Sequence, residues 1–175
     1  MTKSTCSIDW QFYPKSSLPP EKLQSLVSVF VQNIDKISSD KNHKLSSNEI
    51  LELLKDDLIK IGFQVETGKK AEQKLRRPVL FGRNGKLEKA FDVDAYEPAT
   101  QTVVEVEAGR AVTNNQFLKD FFEALIMIGI DYLGIAVRKD YHGNPDFDNV
   151  TKFFDALYVS ERFTPALKGL LIIGY

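Results

Sequence analysis

Apolar residues recur at helical spacing through the first third of the chain. Leu23, Leu26, Val27, Phe30, Val31, Ile34 and Ile37 mark one amphipathic helix, entered at the Pro19–Pro20 pair. The polar connector SSDKNHKLSSN separates it from a second helix. That one carries Ile50, Leu54, Leu58 and Ile61 on one face and has Gly62 as its stop. Beyond Gly62 the period shortens. PVLFGR and KLEKAFDVDAYE flank Asn84-Gly85, a strong hairpin signal, and TVVEVEA follows a turn holding Pro98. Helical spacing returns in TNNQFLKDFFEALIMIG, where Thr113 and Gln116 suit a capping box and Gly129 a stop. DYLGIAV then reads as a buried parallel strand, DNVTKFFDALYVSE as a last helix, and GLLIIGY, after Pro165, as the terminal strand.

This order predicts an α/β domain of three layers, α/β/α. Its central mixed sheet combines an antiparallel meander with parallel strands added by right-handed crossovers. A single domain is expected over residues 1–175, with 1–44 as an N-terminal helical extension and 45–175 as the α/β core.

The stretch FDVDAYEPATQTVVEVE conflicts with ordinary strand chemistry, because Asp is depleted in strands and facing like charges repel. Alternation puts Phe91, Val93 and Ala95 on one face and Asp92, Asp94 and Tyr96 on the other. In the next strand Val104 and Val106 oppose Val103, Glu105 and Glu107. If the apolar sets face the helices, Asp92, Asp94, Glu105 and Glu107 share the opposite side. A turn centred between Ala99 and Thr100 pairs Asp94 with Glu105 and Asp92 with Glu107. Cross-strand Cβ atoms lie about 4.5–5.5 Å apart, so this face needs a cation, shared protons or screening water. Oxygen donors without His or Cys suit Mg²⁺, with Mn²⁺ as a substitute. A side that is polar simply because it is wet is the competing reading.

Composition narrows the choice. A hydrophobic fraction of 43% with 27% charged residues is that of a soluble globular protein. Cys6, the single cysteine, excludes an intrachain disulfide and a Cys-built metal site. No run approaches the roughly twenty apolar residues of a membrane span. The N-terminal stretch lacks the apolar core of a signal peptide. No membrane association is therefore expected, and a cytoplasmic location is. The net charge of −1 hides an uneven distribution. Lys69, Lys70, Lys74, Arg76, Arg77, Arg83, Lys86 and Lys89 meet only Glu72 and Glu88 in their segment. Such a segment suits the backbone of a nucleic acid, and equally an edge strand guarded by solvated cations.

Asp94, ten intervening residues and then Glu105-Val106-Glu107 resemble the signature of the PD-(D/E)XK nuclease superfamily. The Glu-x-Glu form, followed by RAVTNNQFLKDFFEALIMIGIDYLGIAV, is similar to the BglII and BamHI group of restriction endonucleases over residues 45–175. The resemblance implies a restriction-endonuclease-like fold and a Mg²⁺-dependent endodeoxyribonuclease, hydrolysing DNA phosphodiesters with metal-activated water. It implies Asp94 and Glu105 as metal ligands. Asp92 becomes a second-metal ligand or a competitor for the role of Asp94. Glu107 stands in the place of the usual Lys, as a further ligand or a general base. Glu49, from the first core helix, is a further catalytic acid, although Ser46-x-x-Glu49 also spells a capping box. The Pro-Asp of the signature is absent from the hairpin, and Pro145-Asp146 follows the Glu-x-Glu.

The implied partner is DNA. Arg110, Asn114 and Asn115 lie in the turn after Glu107, where a helix N-terminus favours phosphate, and Arg76 and Arg77 join them as DNA-binding candidates. Asn114 is equally a plain cap. Arg138 and Lys139 are phosphate contacts or the polar start of a loop. Palindrome-cutting relatives dimerise, so a homodimer stays open. His43 and His142 read as exposed loop residues. Trp10, Phe12 and Tyr13 read as an N-terminal strand packed on the core rather than a platform for bases. Two rivals remain: a catalytically inactive nuclease-fold protein acting in nucleic-acid binding or regulation, and an interaction domain whose acidic face is merely wet.

Overall fold

The computed structural model describes residues 7–68, 70–160 and 162–175. Cys6, Lys69 of the basic segment and Glu161 at the end of the expected last helix lie outside them. Among the described residues the central sheet has six strands. Its middle is parallel: β6 (Thr102–Glu107), β7 (Tyr132–Val137) and β8 (Gly169–Gly174) lie side by side. Two crossovers link them, α3 (Gln116–Ile126) and α4 (Asp146–Val159). Antiparallel strands close both sides. β1 (Asp9–Tyr13) pairs with β8, β5 (Ala95–Glu97) with β6, and β2 (Gln64–Val65) with β5. The chain is thus mixed α/β around a mixed sheet.

Strand alternation divides the core in two. Val104, Val106, Leu171 and Ile173 meet Leu26, Phe30, Leu54 and Leu58 from α1 (Glu21–Ile37) and α2 (Ser47–Lys60). Val103, Ile135, Leu170 and Ile172 meet Phe121 and Phe154 from α3 and α4. Helices therefore cover both faces. Close approach of α1 explains Gly134 in β7, since a Cβ there would lie 3.1 Å from Leu26 Cδ2. The segment expected as an N-terminal extension is woven into this body, through β1 on β8 and through the buried face of α1. Trp10, Phe12 and Tyr13 do form a strand, with Phe12 and Tyr13 buried. Among the described residues no helix is long and apolar enough to cross a membrane.

The expected meander breaks. β3 (Leu75–Phe81) and β4 (Leu87–Val93) pair only with each other, as a separate two-stranded ribbon. Its turn uses Asn84 at φ 58° and Gly85 at φ 73°, the positive values that make Asn-Gly a hairpin signal. The chain bends at Asp94 before rejoining the main sheet as β5. Two helix starts also differ. Residues 111–115 form turns, and α3 begins at Gln116 behind Asn115 at φ 51° with no side-chain cap, so the Thr113–Gln116 box is absent. α4 starts at Asp146, two residues before the expected Asp148.

Candidate active site

β6 lies where the sheet changes from antiparallel to parallel pairing. The register Ala95↔Val104 and Tyr96↔Val103, carried one residue further, puts Asp94 opposite Glu105. Asp94 Oδ2 accepts the Val106 N–H at 2.8 Å. That bond occupies the side of β6 that β4 has left. It also fixes the carboxylate against the strand bearing both glutamates.

Glu105 and Glu107 follow Val103 in alternation, onto the α3 face. There α3 adds a fourth acid. Asp120 is only 4% exposed, and its Oδ1 accepts from Gln116 Nε2 at 3.1 Å. Its Oδ2 is buried and has no hydrogen-bond donor among the described residues. The Asp120 and Glu107 carboxyls lie within hydrogen-bond reach of one another. Asp94, Glu105 and Glu107 are partly buried.

Burial and mutual repulsion act in one direction here. Burial, then the charges of Glu66 and Asp120, push Asp94 up to about 6 against the Val106 bond. Burial, with the charges of Asp94, Asp120 and Glu107, holds Glu105 well above the usual carboxylate range. Burial, Asp120 and Asp94 push Glu107 up to about 8. Burial raises Asp120 to about 6 although Lys119 and hydrogen bonds with Gln116 and Glu107 oppose it. Lys119 is a weak counter-charge: it is 3.7 Å from Asp120, largely exposed, and closer to Glu123 at 3.2 Å.

These four acids therefore ask for protons or for a cation. Among the described residues, no three Asp, Glu, His or Cys side chains are gathered tightly enough to enclose a metal ion as they stand. Mg²⁺ does not need such a cage, because it is usually held through one or two carboxylates and keeps several waters. The donor chemistry fits that ion: every oxygen is carboxylate, one buried oxygen is orphaned, and cationic neighbours are few.

The other expected residues are distributed differently. Asp92 is not brought to the cluster. Val93 packs in the α3–α4 core and Asp94 also turns that way, so alternation fails at the bend and Asp92 is thrown outward. It is 45% exposed and pairs with Arg76 at 3.4 Å. Glu49 completes the capping box of α2: its Oε2 accepts Ser46 N–H at 2.8 Å and Ser46 Oγ–H at 2.7 Å. Those bonds hold its carboxyl below the usual range, and it is exposed at the helix start.

Arg110 is exposed. With Glu107, Ser46, Ser47 and Tyr141 it lines an open cleft of about 220 Å³ beyond the carboxyl ends of β6 and β7. Gly109, at φ +135°, permits the Tyr141 ring to lie against the backbone, where any Cβ would strike it. The helix N-terminus bordering this cleft is that of α2, through Ser46 and Ser47, rather than that of α3. Asn114 and Asn115 are exposed in the turns before α3.

Arg76 is engaged by Asp92. Arg77 lies over the Tyr96 ring at 4.0 Å, with its Nε buried and unbonded, so it is a packing residue. Arg83 and Lys86 stand exposed at the ribbon tip. Arg138 is fully buried and donates to Ala108 O at 3.0 Å and Leu45 O at 2.6 Å, which makes it a clamp between loops and not a phosphate contact. Lys139 pairs with Asp9 at 2.6 Å. His43 and His142 are exposed in loops. A larger concavity, about 420 Å³, runs along the ribbon between Arg76 and Leu87.

Asp120 escaped the strand argument because it arrives from another element. Its signal was its helical position, between Phe117 and Phe121 on the buried face of α3. An acid in an apolar stripe is a misfit at the level of pattern. Compared with known proteins, the chain matches no protein-family model and no curated sequence.

Proposed function

We propose that the protein is a Mg²⁺-dependent endodeoxyribonuclease that hydrolyses DNA phosphodiester bonds, with a restriction-endonuclease-like arrangement around its sheet. The observation that carries this reading is the meeting of Asp94, Glu105 and Glu107 under α3, at the switch from antiparallel to parallel strands. Ligand sites of open α/β sheets favour the crevice outside the carboxyl ends of the strands, the end at which Glu107 closes β6. Asp94 and Glu105 would hold the ion. When bound, Mg²⁺ lowers the pKa of the attacking water and offsets charge on the scissile phosphate.

The chain's own groups do the rest. Asp94 is held in place by the Val106 N–H. Glu107, pushed up to about 8, keeps its proton at neutral pH while the cluster has no counter-charge. Once that charge is offset, its carboxylate is free to take a proton from the attacking water. Arg110 stands exposed beside Glu107 to meet phosphate oxygens, and Arg83 and Lys86 on the ribbon extend that contact along the backbone. DNA as partner and a cytoplasmic location belong to the same proposal.

Glu105→Ala should abolish Mg²⁺-dependent plasmid cleavage while leaving the circular-dichroism spectrum and unfolding transition in place. Cleavage equal to that of the parent protein would sink the mechanism. One observation favours a second reading: the acids are not gathered into a ready cage. A nuclease-fold protein that binds DNA without cutting it would shift DNA in a gel and leave plasmid intact at any Mg²⁺ concentration. The reading of a merely wet acidic face is weakened, because α3 covers that face and buries Asp120.

A further inference from the structure

We infer that Asp120 is a ligand of the divalent cation, so that the ion is held between the strand pair and the crossover helix. This rests on the preceding reading, that the cluster takes a cation, and adds a residue that the strand signature does not contain. A buried acceptor without a partner is expensive, and native proteins seldom leave one unless something else fills the role. Among the described residues Asp120 Oδ2 has no donor, and the Glu107 carboxyl within reach of this side chain offers it a bond only when protonated. The other oxygen is tethered by Gln116 at 3.1 Å, which fixes the rotation of the carboxylate. Phe117 and Phe121, on either side along α3, are buried in the core and leave the backbone little freedom.

The free oxygen belongs to a carboxylate that lies within reach of Glu107 and repels both Asp94 and Glu105. Lys119 does not serve it, since its ammonium lies against Oδ1 and Glu123 and is mostly in water. Two partners could serve Oδ2: a proton shared with Glu107, or a cation shared with the strand acids. All-oxygen donors at partial burial favour a hard divalent ion. The structural consequence is a staple, because a cation bound by Asp120 ties α3 to β6.

Mn²⁺ is the probe, followed by titration with electron paramagnetic resonance and by thermal unfolding in chelator and in excess Mn²⁺. The parent protein should bind Mn²⁺. Asp120→Asn should bind it at least about tenfold more weakly, the scale on which losing a metal-site contact acts. In chelator the variant should unfold no earlier than the parent, and most of the Mn²⁺-induced rise in Tm should vanish. Equal Mn²⁺ affinity in the variant overturns the assignment of Asp120 and leaves the strand site standing. No binding by the parent overturns the cation reading itself, and this inference with it. Earlier unfolding of the variant in chelator, with its Mn²⁺ increment intact, marks a structural residue and also overturns the inference. If Asp120→Asn does not fold, parent crystals soaked in Mn²⁺ decide: an ion touching Asp120 supports it, and an ion on Asp94 and Glu105 alone overturns it.

Discussion

The β3–β4 ribbon and the β5–β6 pair meet at Asp94, and they treat similar residues in opposite ways. The ribbon is bare. Leu80, Phe81 and Leu87 are about half exposed at its far end, and Asp92 meets Arg76 in water. In the β5–β6 pair, Ala95, Val103 and Val104 are fully buried, and Asp94 sits in a medium that raises its pKa to about 6. Two aspartates separated by one valine thus have different chemistry. Charge pattern alone does not make a site. Removal from water does, because it amplifies every charge that stays behind.

The sharpest way to break this comparison is to remove one charge from each side. Glu105→Gln should reduce Mg²⁺-dependent cleavage at least 100-fold, or about 3 kcal/mol in transition-state stabilisation. Asp92→Asn should change it less than about twofold, because an exposed ion pair contributes little. Single-turnover plasmid assays on both variants measure the contrast. Similar losses in the two would mean that the ribbon bends inward on DNA and brings Asp92 to the site.

A smaller effect is expected from pH. The raised carboxyls bind protons more tightly in the folded chain than in the unfolded one, so they favour folding at low pH. That contribution is complete below the ordinary carboxylate range and is lost as pH rises through about 6 for Asp94 and Asp120 and about 8 for Glu107. Acids with lowered pKa, such as Glu49, Asp57 and Asp155, act oppositely, and their change falls below about pH 4.5. In chelator the protein should therefore be less stable at pH 8 than at pH 5. The difference should be on the order of 2 kcal/mol, or roughly 4–8 °C in Tm. Mn²⁺ should flatten that slope and stabilise most at pH 8. A chelator profile that rises over this interval would show that the four acids are not held above the ordinary carboxylate range.

Much of this arrangement was legible in the residues. The parity of Val103–Glu107 and the turn after Pro98 correctly put Asp94 beside Glu105. Helical spacing locates the four α-helices of the described residues, and Asn84-Gly85 locates a hairpin. The bend at Asp94 was not legible, because alternation assumes that a strand continues, and nothing in FDVDA marks a stop. Alternation therefore assigns Asp92 to the cluster, from which the bend removes it. Strand parity does not reach Asp120, because it says nothing of a helix that folds back over the strands. Ser46-x-x-Glu49 admitted two readings, and the hydrogen bonds of its carboxylate select the cap.

The smallest expected effect tests the exposed half of the comparison. Arg83 and Lys86 stand in water at the ribbon tip, so deleting them removes little packing. Arg83→Ala combined with Lys86→Ala should move Tm by no more than about 2–4 °C, since each surface change stays within about 0.5 kcal/mol. If the tip grips phosphate, each lost contact lowers the slope of log K against log salt by about 0.9, so the pair should lower it by nearly 2. The affinity loss should be the same for unrelated duplexes, because phosphate contacts carry no sequence. Arg77→Ala is the matched control from the ribbon's base. It should lower Tm by loss of stacking on Tyr96 and leave the salt slope alone. An unchanged slope in the double variant would make the ribbon's cations guards of an open edge, and would leave Arg110 as the main phosphate contact.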